Sequence, residues 1–209
     1  MTRGRFITIE GGEGAGKSTQ LRHLAAALQA RRIDCLLTRE PGGTEGAEAI
    51  RELIVHGPVE RWRPLAEVYL FLAAREDHLH RAILPALARG LWVLSDRFAD
   101  STRVYQGIAG GLGLDLVDGL QAPLLGDHRP DLTLILDLPV EVGMARCAER
   151  GALARFEAKG QAYHERVRDG FRLLASLEPD RFAVIDAARD ELVVAAAIAR
   201  TVESRLDTP

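Results

Sequence analysis

The 209-residue sequence contains no asparagine, and of its 27 basic residues only Lys17 and Lys159 are lysine. The first absence excludes every motif that requires asparagine, among them the N-K-x-D loop with which switch GTPases read guanine. The second makes arginine the default cation, so an isolated arginine says little about function and a lysine says more. Cysteine is scarce too. Cys35 and Cys147 fall in no cluster with metal-ligand spacing and read as small buried or half-buried residues in a reducing compartment. No apolar run approaches the roughly 20 residues of a membrane span. No charged and apolar leader precedes the first strand pattern, so a cytoplasmic chain without membrane attachment is expected. The net charge of −3 leaves no overall basic field for nucleic acid.

What is present is an apolar content of 47%, enough for one α/β domain with a sizeable core over residues 1–209. The organising stretch is Gly11-Gly12-Glu13-Gly14-Ala15-Gly16-Lys17-Ser18, a match to G-x-x-x-x-G-K-[ST]. It follows the strand-like Phe6–Ile9 and precedes a helical pattern through Leu21, Leu24, Ala25 and Leu28. Glycines let the backbone turn so that successive N–H groups and the helix N-terminus form a polyphosphate socket. Lys17 is expected at the β/γ-phosphates and Ser18 on Mg²⁺.

Strand and helix patterns alternate along the rest of the chain. Strands are expected at 5–10, Ile33–Thr38, Leu91–Ser95, Leu132–Leu138 and Phe182–Asp186. Helices are expected at 17–31, 45–55 behind a Thr44 cap, 64–88, 114–125, from Pro139 to Glu149, 161–177 and 190–206. Residues 98–113 read as a loop with room for short helical turns, and 150–160 as a break fit for a lid. Such alternation implies a five-stranded parallel sheet wrapped by helices on both faces. Ligands then sit beyond the carboxyl ends of the strands. The stretches expected to converge there are the phosphate loop, Arg39–Thr44, Asp96–Arg97, the segment after Asp137, and Asp186–Ala187.

A phosphate loop specifies no reaction. An ATP-driven machine usually needs partner surfaces or further domains, for which 209 residues leave little room. A small kinase needs an acceptor pocket and arginines that close over the phosphates. Phe71 and Arg75, at i and i+4, suit stacking on a base and hydrogen-bonding its edge, although spacing alone slightly favours a core Phe71 and a solvated Arg75. Arg97 is placed to hold an acceptor phosphate and Asp96 to organise Mg²⁺, against the plainer reading of a strand-end ion pair. Arg150 and Arg155 flank the break, where arginines could neutralise a transferring phosphoryl group or simply decorate a solvated helix end.

Taken together the sequence resembles the thymidylate kinase family nearly end to end. The resemblance rests on Ile9-Glu10-Gly11-Gly12-Glu13-Gly14-Ala15-Gly16-Lys17-Ser18-Thr19 and Thr38-Arg39-Glu40-Pro41-Gly42-Gly43-Thr44. It continues through Asp96-Arg97-Phe98, Ser101-Thr102-Arg103-Val104-Tyr105-Gln106-Gly107 and Arg129-Pro130-Asp131-Leu132-Thr133. It implies phosphoryl transfer from ATP to dTMP with Mg²⁺, in dTTP supply, by a homodimer. It also implies that residues Gly11 to Thr19 bind ATP, with Arg146 near the adenine and Glu157 as a lid carboxylate. On the dTMP side it implies Phe71 stacking on thymine, Arg75 on its edge, Thr102 and Gln106 near the base, and Pro41 shaping that side. Tyr105 would pack under the sugar, Glu13 would meet the 3′-hydroxyl, and Arg97, with Arg51 behind it, would hold the phosphate. The phosphate loop carries no basic residue besides Lys17, so the resemblance is to the bacterial type that relies on lid arginines, here Arg150 and Arg155. Phe98 departs from the Tyr, His or Ser of several relatives. A kinase for another nucleoside monophosphate and a non-catalytic nucleotide sensor remain as alternatives.

Overall fold

The computed structural model describes residues 3–149, 151 and 155–206. Its centre is one parallel sheet in the order β2-β3-β1-β4-β5: β1 (Phe6–Gly11), β2 (Cys35–Arg39), β3 (Trp92–Asp96), β4 (Leu132–Asp137) and β5 (Phe182–Asp186). β1 lies between β3 and β4, and the chain moves to opposite sides of it in its two halves. A crevice therefore opens beyond the carboxyl end of β1, where the glycine-rich loop begins.

Alternation along the strands builds two cores. Ile7, Ile9, Leu94, Leu132, Leu134 and Leu136 face one side and pack on α1 (Lys17–Ala30) and α9 (Glu191–Arg205). Phe6 and Val93 face the other side and meet Leu79, Ile83 and Leu87. Ile135 meets Val167 and Phe171 of α8 (Gln161–Leu177) on that same side. Every described residue of β1 is buried, as a strand covered on both faces must be.

The remaining helices are α2 (Glu45–Val55), α3 (Pro64–His78), α4 (Leu84–Ala88), α5 (Ala99–Thr102), α6 (Leu114–Leu125) and α7 (Val140–Ala148). The Thr44 hydroxyl caps α2 by accepting from Ala47 N at 3.3 Å. The expected helix 64–88 is present, but a wide turn over Leu79–Ile83 joins α3 to α4. Pro85 has no N–H to give the preceding turn, and the wider turn absorbs that loss.

Beyond shifts of one residue at element ends, two stretches differ from expectation. The second strand starts at Cys35, because Ile33 N instead closes α1 by donating to Leu28 O at 3.0 Å. Residues 98–113, expected as a loop with room for short helical turns, are continuously helical over 99–108, through α5 and a wide turn at Arg103–Ile108. Arg103 holds that turn by pairing with Asp100, Asp118 and Glu178 at 2.7 to 3.1 Å. The distant pairs, to Asp118 and Glu178, override a local composition rich in glycine and polar residues. Cys35 is half-buried and Cys147 buried. Among the described residues no helix is long and apolar enough to cross a membrane.

Candidate active site

The phosphate loop runs from Gly11 into α1. Gly14 has φ +69°, and a Cβ there would lie 2.0 Å from Gly143 O, while a Cβ on Gly143 would lie 2.3 Å from Glu13 O. The first turns of α7 thus lie directly against the loop and exclude side chains at both positions. Lys17 is buried, and its Nζ donates to Gly12 O at 2.8 Å and to Gly11 O at 3.3 Å. Desolvation lowers its pKa, the nearby Arg97 cation lowers it further, and Glu13, Asp96 and Glu10 oppose both. Ser18 Oγ donates to Asp96 Oδ2, so the expected metal-side pair is brought together. Asp96 makes that contact instead of pairing with its neighbour Arg97.

Arg97 turns back over the loop. Its φ of +71° is unusual for a residue with a side chain. Its Nη1 donates to Gly11 O and Ser101 Oγ at 3.1 Å each, and its Nη2 to Glu13 Oε1 at 3.0 Å. The guanidinium carbon lies 4.9 Å from the Tyr105 ring centre, and Tyr105 Oη donates to the same Glu13 oxygen at 2.8 Å. Burial alone would raise the Glu13 pKa, but Arg97, Lys17 and the Tyr105 hydrogen bond outweigh it and bring it to about 2. Burial likewise works against charge on Arg97, and the Tyr105, Glu13, Glu10 and Asp96 side raises its pKa nonetheless.

The base-side residues also converge. A cleft of about 360 Å³ is lined by the phosphate loop, Pro41, Arg51, Phe71, Arg75, Arg97, Thr102, Tyr105 and Gln106. Arg75 is 1% exposed, so the solvated-cation reading is corrected. Its Nε donates to Glu40 at 2.8 Å, Nη1 to Gln121 at 2.7 Å and Nη2 to Thr102 Oγ1 at 3.0 Å. Phe71 is half-buried on the cleft wall, not in the core. Arg51 Nη1 donates to Pro41 O at 2.7 Å. Phe98 is fully buried, edge-on to Phe6 at 4.9 Å and 5.2 Å beneath the Arg75 guanidinium.

A second cavity of about 360 Å³ lies on the other side of the loop, lined by Gly14, Thr19, Arg146, Ala187 and Arg189. Arg146 Nη1 is 3.5 Å from both Gly14 O and Ala187 O. The Asp186–Ala187 stretch therefore reaches this side of the loop, whereas Arg39–Pro41 and Asp96–Arg97 reach the first cleft.

The lid residues need a correction. Arg155 does not line either cavity. It is buried among carbonyls, donating to Ile54 O at 3.2 Å, Pro58 O at 3.0 Å and Val59 O at 2.8 Å, and pairs with Glu67. Most of its donors are thereby committed to the α2–α3 connection. Arg150 lies outside the described residues. Glu157 lines the first cleft.

Supporting residues to which sequence reasoning assigned no role lie behind these. Glu40 also accepts from His78 Nδ1 at 3.1 Å, and His78 Nε2 accepts from Thr38 Oγ1 at 2.6 Å, so the buried pair Glu40 and His78, backed by the half-buried Thr38, fixes Arg75. Glu10, fully buried in β1, accepts from Phe98 N at 2.8 Å, Ser101 N at 3.2 Å and Ser101 Oγ at 2.6 Å. A lone acidic residue in an apolar strand was the available hint.

Desolvation raises the Glu10 pKa to about 7, against the lowering effect of Arg97. The folded state therefore holds the Glu10 proton more tightly than the unfolded state does. This contribution to stability is full below about pH 4.5 and is lost as pH rises to about 7. Glu10→Gln removes the ionisation. Relative to the parent, the variant is expected to gain on the order of 2–3 kcal/mol between pH 5 and pH 8. Urea denaturation at the two pH values measures this, and an unchanged difference would show that Glu10 titrates normally. Glu13 does not confuse the comparison, since its stabilisation is lost only as pH falls from 4.5 towards 2.

Comparison with known proteins agrees with this geometry. The family model for thymidylate kinase matches residues 9–198. The chain belongs to the thymidylate kinase family. A thymidylate kinase of Caulobacter vibrioides is 56% identical over 206 residues, covering 99% of each chain. One of Nitrobacter winogradskyi is 53% identical over 199 residues, covering 94% of this chain and 86% of its own. The crystal structure of thymidylate kinase from Ehrlichia chaffeensis superposes with a TM-score of 0.78 at 32% identity, covering 96% of this chain and 99% of that one. The fold is thus the nucleoside monophosphate kinase fold of this family, and the protein is an enzyme of that class.

Proposed function

We propose that the protein transfers the γ-phosphoryl group of ATP to the phosphate of dTMP, giving dTDP and ADP in the supply of dTTP for DNA synthesis. The observation that carries this reading is the pair of cavities that share one phosphate loop, with Gly14, Ala15, Gly16 and Thr19 lining both. A donor nucleotide on the Arg146 side and an acceptor on the Phe71–Arg75 side would meet end to end across Lys17.

The acceptor phosphate is already ionised at neutral pH, so the chain has no need of a strong general base. Its task is alignment and charge stabilisation. Arg97 holds the acceptor phosphate, with Arg51 behind it. Lys17 meets the transferring group. Phe71 stacks on the base, Arg75 and Gln106 meet its edge beside Thr102, and Pro41 shapes that wall. Tyr105 crowds the sugar position where a 2′-hydroxyl would fall, and Glu13 accepts from a 3′-hydroxyl. Because Arg155 is committed elsewhere, Arg150 is the lid arginine assigned to the transferring phosphoryl group.

Ser18 Oγ and Asp96 Oδ2 offer hard oxygen donors side by side, which suits Mg²⁺. The described residues contain no cluster of three metal-ligating side chains, as fits an ion that takes its other ligands from phosphate and water. When bound there, Mg²⁺ would offset negative charge on the donor phosphates. Leu53, Leu65 and Tyr69 are 41%, 38% and 55% exposed on α2 and α3, which supports pairing of two copies through that face. We further assign the protein to the cytoplasm, with ATP and dTMP as partners and no role for nucleic acid.

Coupled measurement of ADP formation from Mg·ATP with dTMP, dUMP, dCMP, AMP, the 2′-hydroxyl analogue of dTMP and thymidine tests the assignment. Preference for dTMP over every other acceptor by tenfold or more is expected. Preference for a different acceptor would keep the kinase and reject the pocket roles. Binding of ATP without acceptor-dependent ADP would indicate a sensor.

A further inference from the structure

Glu67 has no role in the assignments above, yet two separate parts of the chain meet on it. It lies in the first turn of α3 and is 2% exposed. Its Oε2 accepts from Gln106 Nε2 at 3.0 Å. Its Oε1 accepts from Arg155 and lies 3.9 Å from Lys159 Nζ. Both cations belong to the lid stretch. Between them Phe156 packs 6.2 Å from the Phe71 ring and 6.1 Å from the Tyr105 ring, on the wall of the first cleft. The lid therefore docks on the same carboxylate that holds a residue of the base pocket.

The chemistry of that contact fixes a polarity. A carboxylate only accepts, so the Gln106 amide must face Glu67 with its nitrogen. Its carbonyl Oε1 is left buried with no protein partner. Beside it, Arg75 spends three donors on Glu40, Gln121 and Thr102 and keeps the rest of its guanidinium N–H groups. An acceptor next to a donor complements a base edge that presents N–H beside C=O. A keto pyrimidine has that edge, and an amino pyrimidine has the reverse. A flipped amide would match the wrong base and leave a donor opposed to Arg75.

We propose that Glu67 is a positioning residue that couples lid docking to base selection, orienting the Gln106 amide for a keto pyrimidine while anchoring Arg155 and Lys159. The inference rests on the proposed acceptor site. Because Glu67 makes both contacts at once, loss of its charge frees the amide to rotate and unseats the lid together.

The test compares Glu67→Gln with the parent full-length enzyme, using dTMP and dCMP as acceptors, with thermal melting as a check on folding. Glu67→Gln is expected to lose tenfold or more in kcat/KM for dTMP, mainly through KM. Its dTMP-over-dCMP preference is expected to fall at least tenfold. A preference within twofold of the parent's, in a folded variant, overturns the proposal. Glu67→Gln leaves the buried Arg155 cation without its counter-charge, so Glu67→Gln/Arg155→Met serves as the second variant. It is expected to keep the relaxed preference. Recovery of the parent's preference in the double variant would show that Glu67 serves only to neutralise Arg155, and would also overturn the proposal. A parent enzyme that does not prefer dTMP would instead refute the underlying assignment, whatever the variants do.

Discussion

Lys17→Ala is expected to lower kcat by three or more orders of magnitude, about 4 kcal/mol of lost transition-state stabilisation. Lys17 is buried on the first cleft, in the loop whose neighbouring residues line both cavities, and its Nζ bonds Gly11 O and Gly12 O, whereas Arg97 touches Gly11 O alone. The one other lysine, Lys159, is drawn to Glu67 and the rings of Phe156 and Tyr163. Alanine is a good helix former and Lys17 opens α1, so circular dichroism and the melting temperature should change little. Lys17→Arg is expected to rescue poorly, because a planar fork does not occupy the space of a compact ammonium. Retention of kcat within tenfold in Lys17→Ala would remove the lysine from the reaction.

Arg97→Ala is expected to lower kcat/KM for dTMP by about a thousandfold, as loss of a charge-assisted anchor in a desolvated site does. The side chain joins the ends of β1 and β3 by touching Gly11, Glu13 and Ser101. Its removal also takes away the main cation beside Glu13, whose pKa of about 2 should then rise. The backbone adds a useful control. At φ +71°, glycine fits where alanine is strained. Arg97→Gly is therefore expected to be more stable than Arg97→Ala by roughly 1 kcal/mol. Both should be equally impaired in turnover. Kinetics and urea denaturation of the two variants separate side-chain chemistry from backbone strain. Activity in Arg97→Gly near that of the parent would overturn the assignment of the guanidinium to the acceptor phosphate.

The arginines show where sequence reasoning reached its limit. Arg75 and Arg155 look alike in a chain with arginine as its default cation, and both could have been solvated. Both are buried, but they answer to different neighbours. Arg75 is drawn in by Glu40, Gln121 and Thr102, which lie 35, 46 and 27 residues away, and so borders the cleft. Arg155 is drawn to Glu67 and to three carbonyls near the end of α2, and so lines neither cavity. Nothing in the local spacing of either residue carries that information.

Features set by local chemistry could be read from the chain without coordinates. The glycine spacing of the phosphate loop, the alternation of apolar strands with helical patterns, and the Thr44 cap depend on residues close in sequence, and each stands where expected. The family's own stretches added the pocket residues, and the cleft gathers Pro41, Arg51, Phe71, Arg75, Thr102, Tyr105 and Gln106. The helical form of 99–108, the burial of Glu10, and the meeting of Gln106 with the lid at Glu67 belong to tertiary structure. Each depends on a buried polar group finding partners far along the chain. Which partners it finds is decided by how the layers pack, since a buried charge or amide takes whatever counter-group the fold brings within hydrogen-bond reach.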